Sequence, residues 1–260
     1  MKKYIADLTV RENIRLHPDY YLLKLTQDEA LPPMHPGQFV EMKVEGSPET
    51  FLRRPISIHF VDRTKNEIWL LIRIAGKGTL QMSSLLAGES VNLIYPLGNG
   101  FSLPEEEDKE KIPLLIGGGV GTAPMLFWGA YLKSMGYHPV FLLGARSSGD
   151  LLQLDAFAAY GEVYTTTEDG SAGEKGFVTH HSILKKGGFS MIYTCGPKPM
   201  MVSVAACAKA AKIPCEVSLE NMMSCGIGAC LCCVENTCEG NICVCKDGPV
   251  FNIEKLTWQI

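Results

Sequence analysis

The chain has 260 residues and ten cysteines, all at or after Cys195, with eight of them between Cys215 and Cys245. The first three quarters must therefore fold without any thiol chemistry. At the start, Met1-Lys2-Lys3 is followed by Tyr-Ile-Ala-Asp-Leu-Thr-Val-Arg-Glu, in which charges interrupt any apolar run. No signal peptide is expected there, and the chain reads as cytoplasmic. In a reducing compartment, clustered thiols serve more often as metal ligands or redox groups than as cross-links.

The segment Cys225-Gly-Ile-Gly-Ala-Cys230-Leu-Cys-Cys233 has the spacing C-x4-C-x2-C, and Cys245 follows after eleven residues. The first three thiols match the plant-type [2Fe–2S] ligand run. Gly226 and Gly228 would let the loop wrap a cluster and turn N–H groups toward its sulfurs. Four tetrahedral thiolates on zinc are the competing reading, but zinc sites more often show two short C-x2-C pairs, so iron–sulfur is favoured. On spacing alone, Cys238, Cys243 and Cys245 are all within reach as the fourth ligand. Cys232 neighbours a ligand and is expected to point away. Cys207 and Cys215 stand in apolar contexts and are expected as small core residues.

Composition narrows the rest. Hydrophobic residues make up 46% and charged residues 20% of the chain, a globular balance long enough for one large or two ordinary domains. A net charge of -4 provides no positive field for phosphates, so nucleic-acid binding is not expected. Residues Ile112 to Leu132 carry no charge over 21 residues, but five Gly and two Pro among them argue against a membrane span.

From Ala6 to about Leu103, short apolar runs alternate with Pro-Gly, Gly-Ser-Pro and Gly-Lys-Gly turns. The runs are 21–25, 38–44, 56–60, 67–74 and 90–94, which predicts an antiparallel sandwich or barrel. One helix is expected over Thr79 to Leu86. The acidic stretch 104–111 reads as a solvated connection and a domain boundary. Beyond it, strand candidates at 112–116, 139–143, 162–166, 190–194 and 215–219 are separated by several helical stretches, which argues for a mainly parallel sheet. There is no internal repeat. The expected division is 1–103, 104–214 and a cysteine-rich 215–260.

Two turns suit a dinucleotide. Gly117-Gly118-Gly119-Val120-Gly121-Thr122-Ala123-Pro124 joins a strand to a helix, where backbone N–H groups can meet a pyrophosphate. Strict Gly-x-Gly-x-x-Gly spacing fails because position 122 is Thr. The second strand ends in Gly144-Ala145-Arg146 without the usual acidic residue, so Arg146 faces either a ribose phosphate or solvent. Cys195-Gly196-Pro197 is the second strand-to-helix turn. In the first region, Arg53-Arg54-Pro55-Ile56-Ser57 and Leu71-Ile72-Arg73 with Gly78-Thr79 set cations beside hydroxyl groups or glycine turns suited to phosphate.

Taken together, these motifs resemble the electron-transfer subunits of NAD-dependent dihydroorotate dehydrogenase, within the ferredoxin-NADP reductase superfamily. The resemblance runs through all three regions, and the Cys225 to Cys233 loop closed by Cys245-Lys-Asp-Gly-Pro-Val-Phe251 is its most particular part. It implies an FAD-binding β barrel, an NAD-binding α/β domain and a [2Fe–2S] subdomain. FAD would be held by Arg54, Pro55, Ile56 and Ser57, with Leu71, Ile72, Arg73, Gly78 and Thr79 along its ribityl and pyrophosphate. The superfamily motif has Tyr where this chain has Ile56, so aromatic stacking on the flavin is not implied there. NAD would lie over Gly117, Gly118, Gly119, Gly121 and Thr122, with Cys195, Gly196 and Pro197 near the nicotinamide.

The family's cluster ligands map to Cys225, Cys230, Cys233 and Cys245, while Cys238 and Cys243 exceed its usual thiol count. The resemblance further implies a separate FMN-containing catalytic subunit, with two copies of each chain, and a route from dihydroorotate through the cluster and FAD to NAD in pyrimidine synthesis. Two alternatives stand beside it: a related flavin and iron–sulfur reductase serving sulfite reductase, hydrogenase or ferredoxin, and a zinc-bearing interaction protein.

Overall fold

The computed structural model describes residues 2–47, 49–105 and 112–260; most of the acidic connection, 106–111, lies outside the described residues. The chain forms two compact units. One comprises 1–100, 221–235 and 241–249; the other comprises 101–220, 236–240 and 250–260.

The first unit carries a seven-stranded antiparallel sheet made of β1 (Tyr4–His17), β2 (Tyr20–Thr26), β3 (Phe39–Met42), β4 (Arg54–Ser57), β5 (Phe60–Asp62), β6 (Glu67–Arg73) and β7 (Ser90–Leu97). Their order is β4-β3-β7-β1-β2-β6-β5. The expected run 56–60 is two strands, because the chain changes partners inside it: the Ile58 N–H bonds the Gln38 carbonyl, whereas the His59 N–H bonds the Trp69 carbonyl. Leu23, Leu25, Ile58, Ile68, Leu70 and Leu93 are fully buried in its core. Each such side chain contributes about 1.5–3 kcal/mol relative to exposure. A single short helix, α1 (Lys77–Met82), follows β6. It is shorter than the apolar pattern suggests, since the chain turns at Ser83 and Ser84.

The second unit holds β8 (Ile112–Gly118), β9 (Val140–Ala145), β10 (Glu162–Thr167), β11 (Glu174–Lys175), β12 (Phe189–Cys195), β13 (Cys215–Ser218) and β16 (Val250–Asn252). Between β13 and β16 the chain forms a hairpin, β14 (Val234–Thr237) and β15 (Gly240–Cys243). The sheet order is β11-β10-β9-β8-β12-β13-β16, parallel except for the antiparallel β13–β16 pair. Near-continuous burial along β8 and β12 is what a parallel strand covered on both faces requires. Helices α2 (Ala123–Ser134), α3 (Leu154–Ala158) and α4 (Lys198–Ala211) connect these strands. An aromatic cluster packs under α2, with Trp128 5.2 Å from Tyr193 and 5.5 Å from Phe101. Successive strands run outward from β8 on one side, and β12 lies on its other side, so the direction of winding reverses between β8 and β12. Ligands of open α/β sheets bind at such a point. Among the described residues, no helix is long and apolar enough to cross a membrane.

Candidate functional site

The two glycine turns meet at that reversal. Cys195 is the register partner of Gly117, so both turns leave the sheet at the carboxyl ends of adjacent strands. A Cβ on Gly121 would stand 2.4 Å from the Cys195 carbonyl oxygen and 2.5 Å from the Gly196 Cα, so only glycine allows this approach. One on Gly118 would meet the Met200 sulfur at 2.3 Å. The Thr122 hydroxyl donates to the Gly119 carbonyl at 3.0 Å, tightening the turn into α2. Pro124 and Pro199 occupy the first turns of α2 and α4, where no backbone donor is lost. Two helix N-termini therefore open at the switch point, an arrangement suited to a pyrophosphate.

Cys195 itself is fully buried, and its thiol lies 3.8 Å from Glu220 Oε1. Burial, then the Glu220 charge, hold the thiol protonated. Desolvation raises Glu220 as well. Sequence reading passes over Glu220, because no local spacing links it to a cysteine 25 residues away. Arg146 is exposed beyond the end of β9.

In the first unit, Arg54, Pro55, Ile56 and Ser57 form half-buried β4. The Arg54 guanidinium donates to the Leu52 carbonyl at 2.8 Å and lies against Gly78, whose missing side chain makes room for it: a Cβ there would be 2.9 Å from Arg54 Nε. The structure thus brings together two motifs 24 positions apart. The Thr79 hydroxyl closes the turn ahead of α1 by accepting from the N–H groups of Ala75 at 2.9 Å and Gly76 at 3.2 Å. Leu71 and Ile72 have buried side chains, while Arg73 is exposed. An open groove of about 920 Å³ on this unit is lined by Arg15, Lys77, Gln81 and neighbours, and by none of the expected flavin residues.

The cysteine loop shows the most built chemistry. Gly226 and Gly228 have positive φ, 68° and 83°, and turn successive N–H groups onto sulfur. Cys225 Sγ accepts from the N–H of Ala229 at 3.3 Å and of Ile227 at 3.5 Å, and Cys230 also bonds it. Cys245 Sγ accepts from the Gly228 N–H at 3.1 Å, and Cys233 Sγ accepts from the Cys245 N–H at 3.3 Å. Burial pushes the Cys225 thiol up, but the N–H donors outweigh it and draw it down to about 6. Cys245, at the start of the one-turn helix α5 (Val244–Asp247), is pushed up to about 12, by burial first and then by Cys233.

These bonds tie Cys225 to Cys230 and Cys233 to Cys245, with Cys230 exposed. Among the described residues, no three His, Cys, Asp or Glu converge as ligands of one metal ion. Thiols served by backbone N–H donors are the donor chemistry that an iron–sulfur cluster takes. Of the remaining thiols, Cys232 and Cys238 are exposed, Cys243 is buried beside the loop, Cys215 is in the core and Cys207 is only half-buried. For Cys207 the core expectation holds in part, because its position on α4 lies at the margin of the buried face.

Residues 220–257 match the iron-sulfur cluster binding domain of dihydroorotate dehydrogenase B, and residues 115–206 match the oxidoreductase NAD-binding domain. The chain is 37% identical over 255 residues to the dihydroorotate dehydrogenase B (NAD(+)) electron transfer subunit of Fusobacterium nucleatum, covering 95% of this chain and 96% of that one. It is 35% identical to the subunit of the same name from Shouchella clausii, covering 97% and 98%. Among solved structures, an NADH-dependent reduced ferredoxin-NADP oxidoreductase superposes with a TM-score of 0.86 at 27% identity, covering 97% of this chain and 90% of that one. The ferredoxin reductase of carbazole 1,9a-dioxygenase superposes at 0.66 with 20% identity, covering 82% and 66%, and shares the fold.

Proposed function

The chain belongs to the family of dihydroorotate dehydrogenase B (NAD(+)) electron transfer subunits, and from that membership we propose that it carries electrons from a dihydroorotate-oxidising partner to NAD. The observation that carries the reading is the N–H-to-sulfur network on Cys225, Cys233 and Cys245, within the matched cluster domain. When bound, FAD would supply both hydride exchange with nicotinamide and single-electron exchange with a [2Fe–2S] cluster, so a chain that holds all three would link two-electron to one-electron transfer.

The residues of this chain supply position and shielding. Cys225, Cys230, Cys233 and Cys245 hold the cluster, and the N–H groups of 227, 228, 229 and 245 bear on its ligand sulfurs. Arg54 to Ser57, the backbone of Leu71 to Arg73, and Gly78-Thr79 hold the flavin. Gly117, Gly118, Gly119, Gly121 and Thr122 bind the NAD pyrophosphate at the N-terminus of α2, while Cys195, Gly196 and Pro197 border the nicotinamide. Cys195 stays a neutral thiol there, so it neither attacks the nicotinamide ring as a thiolate nor repels the dinucleotide phosphates. Divided by cofactor, residues 1–103 serve FAD, 104–214 serve NAD and 215–260 serve the cluster.

The name of its relatives, an electron transfer subunit, supports a separate FMN-containing catalytic partner, in a cytoplasmic complex of two copies of each chain. Likeness to a ferredoxin-NADP oxidoreductase favours a second reading, in which ferredoxin is the one-electron partner; the higher identity to the dihydroorotate dehydrogenase subunits over nearly the whole chain weighs against it. Mixing the anaerobically purified chain with a dihydroorotate-oxidising subunit decides. Dihydroorotate-dependent NADH formation is the expected result, and its absence alongside ferredoxin-linked turnover overturns the assignment.

A further inference from the structure

One buried ionisable group has no part in the chemistry above. Glu41 stands in β3 among Phe39, Val40 and Met42, fully buried, and neither of its carboxyl oxygens has a hydrogen-bond partner. An unpartnered buried carboxyl group costs free energy that an apolar residue at the same position would not, so stability alone does not account for it. The neighbouring cation eases the cost by its charge but does not bond the carboxyl group. Arg53 directs its guanidinium to the Glu41 backbone carbonyl at 3.1 Å, the Asn92 carbonyl at 3.0 Å and Asn92 Oδ1 at 2.5 Å, leaving the carboxyl group unbonded.

What the side chain does touch is the cysteine loop. A Cβ on Gly226 would stand 2.5 Å from Glu41 Cγ, 3.2 Å from Oε1 and 2.9 Å from Leu97 Cδ1. The residue directly after Cys225 thus rests on the glutamate side chain, in a left-handed conformation that glycine adopts readily. Charge on Cys225 is felt at Glu41: burial, together with Cys225 and against Arg53 and Arg54, raises its carboxyl group to about 7.

We propose that Glu41 is a positioning residue of the iron–sulfur site, whose side chain seats the Cys225–Gly226 turn through its Cγ and whose carboxylate, a negative charge held away from water, keeps the cluster harder to reduce. The proposal rests on the cluster reading above. Backbone donors near the sulfurs favour the reduced cluster and a buried carboxylate opposes it, so the two together set the potential at which electrons pass.

The test is Glu41→Gln in the anaerobically purified holoprotein, with iron and acid-labile sulfide counted and the cluster titrated by EPR well above neutral pH. Unchanged iron and sulfide, with the ratio of reduced to oxidised cluster at a fixed potential raised about tenfold, about 59 mV for one electron, supports the proposal. A fully loaded Gln variant with the wild-type midpoint overturns it. Should Gln lose the cluster, Glu41→Asp keeps the charge: a loaded cluster near the wild-type midpoint supports the proposal, and no cluster, or a midpoint raised by about 59 mV, overturns it. Wild-type protein lacking iron and sulfide overturns the cluster reading, and the proposal with it.

Discussion

The main-chain N–H of Cys245 donates to the Cys233 sulfur at 3.3 Å, binding the start of α5 to the last thiol of the 225–233 loop. Serine at 245 keeps this backbone donor but replaces the sulfur that accepts from Gly228. Cys245→Ser is expected to lose the reddish-brown cluster absorption and to lower partner-linked turnover by more than about a hundredfold. Flavin content and NADH oxidation by ferricyanide should stay within about twofold. Both are read from one preparation by visible spectroscopy and steady-state assay, and loss of flavin along with the cluster would assign Cys245 to the fold instead.

Gly121→Ala places a methyl group against backbone atoms of Cys195 and Gly196, which cannot move aside as a side-chain tip could. Overpacking of this kind costs about 1–3 kcal/mol. The variant should melt earlier and show a KM for NADH raised about tenfold or more, a loss of about 1.4 kcal/mol in binding. A wild-type melting temperature and KM would count against the contact between the two turns.

Gly78→Ala presses on the Arg54 guanidinium, a flexible group, and so should be tolerated by the fold. Its effect should appear in FAD retention. Gel filtration at low protein concentration is expected to strip more flavin from the variant than from wild type, with little change in melting temperature of the apoprotein. Equal retention would separate Arg54 from the flavin site.

Glu216 is buried, with Oε2 accepting from the Ser102 N–H at 3.0 Å and Oε1 from the Ser102 hydroxyl at 2.5 Å. Burial raises its carboxyl group above the ordinary 4.5, against the lowering effect of those bonds. Because the folded state holds this proton more tightly than the unfolded state, the group favours folding fully below its unfolded value, and that contribution fades as pH rises through the folded value. Glu216→Gln carries no charge at any pH, so its melting temperature relative to wild type should climb as pH rises above the ordinary carboxyl value of 4.5. A flat difference above that value would show Glu216 already ionised in the folded protein without penalty.

Much of this arrangement was legible where the signal is local. The continuous apolar runs of β8 and β12, the two glycine turns and the C-x4-C-x2-C spacing each carry their meaning within a dozen residues. Less was legible where pairing is distant or irregular. In β1, exposed Arg11, Glu12 and Arg15 interrupt the apolar pattern, and the pairing shifts at Val10/Glu12 and Arg15/His17, so its 14-residue length does not announce itself. Glu220 reaches Cys195, and Glu41 meets Gly226, only once the sheets have formed, since neither pair is close in sequence. The split of 56–60 depends on which carbonyls Ile58 and His59 find, a choice made by β3 and β6 rather than by the segment itself.

Strand β16 joins the parallel sheet through Phe251 opposite Val217 and Asn252 opposite Glu216, in the last dozen residues of the chain. During synthesis, β13 must therefore wait with one edge bare while the entire cysteine loop is translated. Exposed strand edges recruit other strands, so this interval is the hazardous one for a growing chain. The same order means that a product cut short before residue 250 presents β13 as the edge of its sheet, where the whole chain presents only the three-residue β16, whatever its ability to collect iron.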